Sequence, residues 1–194
     1  EDMPGLAYPI RHWEVANEPS MQGGHGYFFQ GTSADYLSML RLAFETITTA
    51  DPEATVLTGG QAGMQSSFTD FWTPVLESAA GFCHVGNIHS IGSDHSFFSD
   101  DYRALLDETG HVGAEYWITE ALVSTWPEPG QMIPTGDELG QETLTGFATA
   151  FADGASRIFN VGPHDPTGGP GIESDSAFLL LAETVGDFTS ASWA

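Results

Sequence analysis

The chain has 194 residues, 41% of them hydrophobic, and its 27 acidic residues against 4 basic ones give a net charge of −23. That length holds one domain with a sizeable core, and that charge excludes nucleic acid and anionic membrane surfaces as partners, because both require a cationic face. No apolar run approaches the ~18 residues that cross a bilayer.

The basic residues are Arg11, Arg41, Arg103 and Arg157, and Lys is absent. The acidic residues are dispersed, with apolar periodicity between them, which predicts a folded chain. A dispersed acidic surface suits a saline, extracellular setting, where counterions screen self-repulsion. An ordinary acidic secreted protein is the alternative. Glu1 to Gly5 are acidic, carry no signal-peptide core, and do not begin with Met. The expectation is a chain that was processed, excised or read from an incomplete gene. Cys83 stands alone, so no intrachain disulfide forms and a structural thiol is expected.

In chain order, Ile10 to Ala16 reads as a strand. Ser33 is the expected N-cap of a helix carrying Tyr36, Leu37, Leu40, Phe44 and Ile47, with Pro52 just beyond it. Ala54 to Leu57 is a short strand running into the turn signal Thr58-Gly59-Gly60. Phe68, Phe71, Trp72, Val75 and Leu76 mark a second helix, with Pro74 expected in its first turn. Val85 to His89 is a third strand. Ser99 is expected to cap a helix with Tyr102, Leu105 and Leu106, stopped at Gly110. Ala114 to Thr119 is a fourth strand. A helix from Asp137 to Asp153 presents Leu144, Phe147 and Phe151 on one face, and Arg157 to Val161 is a fifth strand. A Gly/Pro-rich loop over Gly162 to Gly171 leads to a last helix over about 176–188. Strands alternating with helices predict a parallel α/β fold in one domain over residues 1–194.

Two parallel architectures compete, an open doubly wound sheet and a barrel. The GxGxxG fingerprint is absent, and without Lys no phosphate-binding GxxxxGK[ST] loop exists. Polar residues gather instead at strand ends: Asn17 and Glu18, His89, Glu120 and Asn160. That placement favours a (β/α)8 barrel. Two carboxylates on one pocket are the minimum for cleaving a glycosidic bond, one protonated and one ionised, and environment sets them apart. Pro19 fixes the chain direction after Glu18 and ends strand pairing.

"WEVANEP" (Trp13 to Pro19) resembles the acid/base motif of clan A glycoside hydrolases, in which Asn-Glu-Pro closes the fourth barrel strand. "WITE" (Trp117 to Glu120) resembles their nucleophile motif at the end of the seventh, and "NIHSIG" (Asn87 to Gly92) resembles the sixth. The 102 residues from Glu18 to Glu120 suit that interval. The resemblance implies Glu18 as general acid/base, Glu120 as nucleophile and Asn17 as donor to a sugar 2-hydroxyl. It further implies His89 lining the cleaved bond, and a retaining mechanism with carboxyls about 5–5.5 Å apart.

The chain departs from that family in three ways. It holds about five of eight β/α units, so a missing N-terminal half-barrel or a second chain is expected to complete it. Ser90 and Ile91 stand where many relatives place a Tyr. "RIFNVGP" (Arg157 to Pro163) lacks the usual floor Trp, a role left to Trp126, which is equally readable as a loop anchor. His25, in the Gly-rich loop after Glu18, is expected to shape the cleft.

No cofactor is expected. His89, Asp94 and His95, or His164 and Asp165, lack a metal-ligand spacing, and no GxSxG elbow is present. Cleavage of β-linked oligo- or polysaccharide is the leading reading. A non-catalytic carbohydrate-binding or partial-barrel module is the alternative, and an acid/base enzyme on another substrate is a third.

Overall fold

The computed structural model describes residues 10–21, 28–92, 96–123 and 137–161. Its elements are β1 (His12–Glu14), α1 (Ser33–Ala50), β2 (Thr55–Leu57), α2 (Ser66–Ser78), β3 (Gly86–Gly92), α3 (Ser99–Glu108), β4 (Tyr116–Val123), α4 (Asp137–Ala152) and β5 (Ala155–Asn160). The β1–β2, β3–β4 and β4–β5 pairs are all parallel. Parallel bridges Leu57↔Val85 and Gln61↔Ile88 join the two-stranded and three-stranded sheets. The result is a run of five parallel strands in chain order with helices between them, part of an α/β barrel wall.

The strands sort their side chains by alternation. Val15, Val56, Ile88 and Ile118 face the helices. There they pack with Tyr36 and Leu40 of α1, Trp72, Val75 and Leu76 of α2, Tyr102, Leu105 and Leu106 of α3, and Phe147 and Ala150 of α4. Each fully buried side chain of this size stabilises the fold by about 1.5–3 kcal/mol. The opposite face carries a smaller cluster of Leu57, Val85 and Trp117. His12, Phe159 and Arg157 lie against the Trp117 ring, at centroid distances of 5.1 and 5.9 Å for the two rings and 4.4 Å for the guanidinium carbon.

Element ends differ from expectation in instructive ways. Thr32, not Ser33, caps α1: its hydroxyl accepts from Asp35 N while the Asp35 carboxylate accepts from Thr32 N, a reciprocal capping box. Ser99 is not a cap but the first residue of α3, and its hydroxyl donates to Asp153 at 2.7 Å; Phe98, in a left-handed conformation, precedes the helix. Pro74 lies inside α2, not in its first turn, because the helix begins at Ser66. Phe151 does not join the buried face of α4: it is 36% exposed, and Thr143, Phe147 and Ala150 form that face. The Gly162–Gly171 loop and the expected last helix lie outside the described residues, as do His25, Asp94, His95, Trp126, His164 and Asp165.

Cys83 is half-buried, and burial pushes its thiol up to about 11, as befits a structural cysteine.

Candidate functional site

The site forms on the inner face, around His89. This ring is 2% exposed. Its Nδ1 lies 3.0 Å from Glu18 Oε1 and 3.6 Å from Glu120 Oε2. Its Nε2 lies 2.9 Å from Thr119 Oγ1 and 3.4 Å from Glu14 Oε1. Three predicted residues, Glu18, His89 and Glu120, therefore meet at one point, drawn from three segments of the chain.

Glu18 reaches it by a bend. Beyond β1 the backbone turns left-handed at Ala16 (φ 69°) and again at Glu18 (φ 39°), with Asn17 half-buried between them. Non-glycine residues adopt this conformation only at a cost of about 1–2 kcal/mol each, so the surroundings must hold it. The Tyr36 hydroxyl does so, donating to Val15 O at 3.0 Å and accepting from Gly59 N at 2.7 Å. Past the bend, Met21 N donates to Glu18 O, and the Trp72 indole donates to Ser20 Oγ at 3.1 Å. Glu18, Pro19 and Ser20 are all buried.

Gly59 and Gly60, expected as a turn, instead leave room. A Cβ on Gly59 would lie 2.6 Å from Ala16 O, and one on Gly60 would lie 2.0 Å from His89 Nε2. One glycine admits the bend that carries Glu18, and the other admits the imidazole.

Glu120 reaches the site by a bulge. Simple alternation from Ile118 would turn Glu120 toward the helices. In the β3–β4 ladder, however, Ile88 pairs with Ile118 and His89 pairs with Glu120, so Thr119 is an extra residue. The phase of the strand shifts there. Trp117, Thr119 and Glu120 lie on the inner side, while Ile118 and Ala121 both pack in the helix-facing core. Neither His89 nor Glu120 ends its strand, as β3 runs on to Gly92 and β4 to Val123.

Thr119 Oγ1 also lies 2.9 Å from Glu14 Oε2 and 2.9 Å from Asn87 Oδ1. Its single proton goes to one of these acceptors, which leaves the oxygen to accept from His89 Nε2–H. Nδ1 faces the Glu18 and Glu120 carboxylates. Both ring nitrogens thus face acceptors, an arrangement that favours the imidazolium. Burial opposes that charge, but hydrogen bonds to Glu14 and Glu18 and the nearby Glu120 outweigh it and carry the His89 pKa up to about 9. Burial likewise raises the Glu120 carboxyl above its ordinary value; the His89 charge counters this, and Glu18 and Glu14 add to it.

Among the described residues, Glu18, His89 and Glu120 also form a set able to ligate a cation, with one donor atom from each lying within 4.8 Å of the others. Nδ1 is already engaged with Glu18, so a metal there would have to displace the proton between them. Glu14 and Thr119 join the site in addition to the residues expected from the sequence. The signal was present, since Glu14 alternates with Trp13 and Val15 and so faces away from the helices.

No protein-family model matches the sequence, and no curated protein matches it. Solved structures do. A family 51 α-L-arabinofuranosidase from Bifidobacterium longum aligns over 81% of this chain and 40% of its own, at a TM-score of 0.59 and 11% identity. A glucosidase from Croceicoccus marinus aligns over 79% of this chain and 33% of its own, at 0.55 and 17%. A family 128 exo-β-1,3-glucanase from Aureobasidium namibiae aligns over 78% and 54%, at 0.53 and 11%. The chain thus spans from a third to about half of these structures. At such identities the likeness is one of fold: the described strands and helices reproduce part of a glycosidase β/α barrel.

Proposed function

We propose that the protein acts as a retaining glycoside hydrolase on β-linked oligo- or polysaccharide. The observation that carries this reading is the pair of carboxylates, Glu18 and Glu120, brought within 4.8 Å of each other at the Nδ1 side of one buried histidine. A short separation of this kind suits direct attack on the sugar; inverting enzymes leave about 6.5–9.5 Å for a water.

In the first step Glu120 attacks the anomeric carbon while Glu18 gives its proton to the departing glycosidic oxygen. In the second, Glu18 takes a proton from water, whose oxygen displaces Glu120 and restores the enzyme. Glu120 must enter the first step ionised. Burial, the larger influence, raises the Glu120 carboxyl above its ordinary value, and the imidazolium beside it counters that rise. Asn17 follows the family resemblance as donor to the 2-hydroxyl, from its position between two left-handed residues. Trp126 remains a proposed platform for a sugar ring. The fold neighbours include an enzyme named for α-L-arabinofuranosides, so the substrate panel should contain both β-glycosides and α-L-arabinofuranosides. Completion of the barrel by further β/α units, from the same polypeptide or a second chain, belongs to the same proposal.

The test is a pair of variants assayed on aryl glycosides. Glu120→Gln should abolish turnover of every substrate while leaving the fold intact. Glu18→Ala should retain activity on substrates with excellent leaving groups and lose it on poor ones. Activity of Glu120→Gln above a few per cent would overturn the assignment, and the opposite leaving-group pattern would exchange the two roles.

A further inference from the structure

Glu14 takes no part in the double displacement, yet its carboxylate enters the same network. Oε1 accepts from Gly60 N at 3.1 Å, and Oε2 accepts from Thr119 Oγ1 at 2.9 Å. Oε1 also lies 3.4 Å from His89 Nε2. One carboxylate thereby touches the glycine that makes room for the imidazole, the bulged residue that turns Glu120 inward, and the imidazole itself.

The charged groups facing His89 among the described residues are Glu14 from β1, Glu18 from the bend after it, and Glu120 from β4. Gly60, after β2, and Thr119 complete its surroundings. Two of these three carboxylates change state in the proposed reaction. Glu18 gives up and regains a proton, and Glu120 loses its charge when it becomes an ester. Neither can serve as a constant counter-charge to the imidazolium. Glu14 undergoes no bond change in either step.

We propose that Glu14 is a positioning residue that, from the Nε2 side, holds the His89 imidazolium charged and in place against Glu18 and Glu120 throughout the catalytic cycle. Its effect on His89 stands on the geometry alone, and its effect on turnover rests on the glycosidase reading. Without Glu14, Thr119 is free to swing wholly to Asn87, and Nε2 loses its one carboxylate. The ring then sheds its proton more readily and no longer favours an ionised Glu120.

The experiment compares Glu14→Gln, which keeps size and the Gly60 contact but removes the charge, with Glu14→Asp, which keeps the charge. The titration of the His89 ring is followed by NMR in the intact protein. In Glu14→Gln its midpoint should fall by about one pH unit or more. The kcat should drop about tenfold or more, with KM within about twofold and the alkaline limb of the kcat profile moved to lower pH. Glu14→Asp should recover the midpoint and part of kcat. If Glu14→Gln does not fold, Thr119→Val breaks the same link from its other end and should move both readouts in the same direction. An unchanged His89 midpoint in the charge-removing variant overturns the role of Glu14 and leaves the glycosidase reading standing. A shifted midpoint together with an active Glu120→Gln enzyme upholds the link from Glu14 to His89 and overturns the glycosidase reading.

Discussion

Gly60→Ala is the smallest change that should disrupt this site. The added Cβ would sit 2.0 Å from His89 Nε2 and 2.2 Å from Cδ2. Real Cβ contacts stay beyond 3.0 Å, so the ring or the strand must give by about 1 Å. The ring has nowhere to go: it is 2% exposed and held at 3.0 Å by Glu18 and at 2.9 Å by Thr119. A retreat of about 1 Å takes at least one of these bonds beyond hydrogen-bonding range. Overpacking costs about 1–3 kcal/mol and a lost bond to a charged partner about 1.5–3 kcal/mol. The sum, about 2.5–6 kcal/mol, is a large share of the 5–15 kcal/mol that stabilises a typical domain. It corresponds to a fall in melting temperature on the order of 10 °C. A misplacement of about 1 Å at the chemical centre also lowers turnover by up to about 10²-fold. Urea unfolding reads the stability, and NMR of the His89 ring reads its displacement. An alanine variant within about 0.5 kcal/mol of the parent, with an unshifted His89 signal, would refute the claim that Gly60 exists to admit the imidazole.

Two further predictions concern stability. His89 gains its charge in the fold: its pKa moves from 6.5 to about 9 through Glu14, Glu18 and Glu120, against burial. A group raised in this way contributes its stabilisation fully below about pH 6.5 and loses it as pH rises through about 9. At about 1.4 kcal/mol per unit, the contribution is at most about 3–4 kcal/mol. Urea titrations at pH 6.5 and 9.5 should show the decline, and His89→Gln should flatten it; stability that rises over this window would contradict the imidazolium. Separately, Tyr36→Phe removes the hydroxyl that joins Val15 O to Gly59 N in a fully buried position, leaving two backbone groups without partners. The expected loss is about 2–4 kcal/mol by thermal or urea unfolding. A loss under about 0.5 kcal/mol would mean that the bend toward Glu18 does not depend on this bridge.

Much of this was legible in the sequence, for identifiable reasons. The nine elements followed from period: apolar spacing of three and four in Tyr36, Leu37 and Leu40, and runs of β-formers such as Tyr116 to Thr119. Their boundaries were less legible because caps depend on side-chain geometry. Thr32 and Ser33 are both good cap residues, and only the Asp35 carboxylate reaching back to Thr32 decides between them. Ser99 looked like a cap but spends its hydroxyl on Asp153, 54 residues away, a contact that no local rule contains. At the site, Glu18, His89 and Glu120 were named from their positions near strand ends, and the chain does bring them together. Asn17, half-buried, adjoins Glu18 in the chain, and Trp126 lies outside the described residues. Glu14 was not legible as a site residue because the expected strand, Ile10 to Ala16, places it in mid-strand, whereas β1 ends at Glu14 with its carboxylate on the inner face.

The bulge at Thr119 shows why regular alternation alone cannot assemble this constellation. A straight β4 carrying Trp117 inward would also bring Thr119 inward and send Glu120 among the helices beside Ile118. A straight continuation of β1 would carry Glu18 on along the strand direction, away from a ring that Glu14 already reaches. Each of the two carboxylates therefore needs a departure from ideal geometry: two left-handed residues on one side and one supernumerary residue on the other. Buried partners sustain each departure. Gly59 admits the bend and Tyr36 ties it, while Thr119 is both the bulged residue and the partner of His89 and Glu14. Strain concentrated in this way, and held by specific buried partners, is characteristic of functional sites. The irregularities thus argue, independently of any fold likeness, that this end of the sheet has been shaped for its three carboxylates and the imidazole between them.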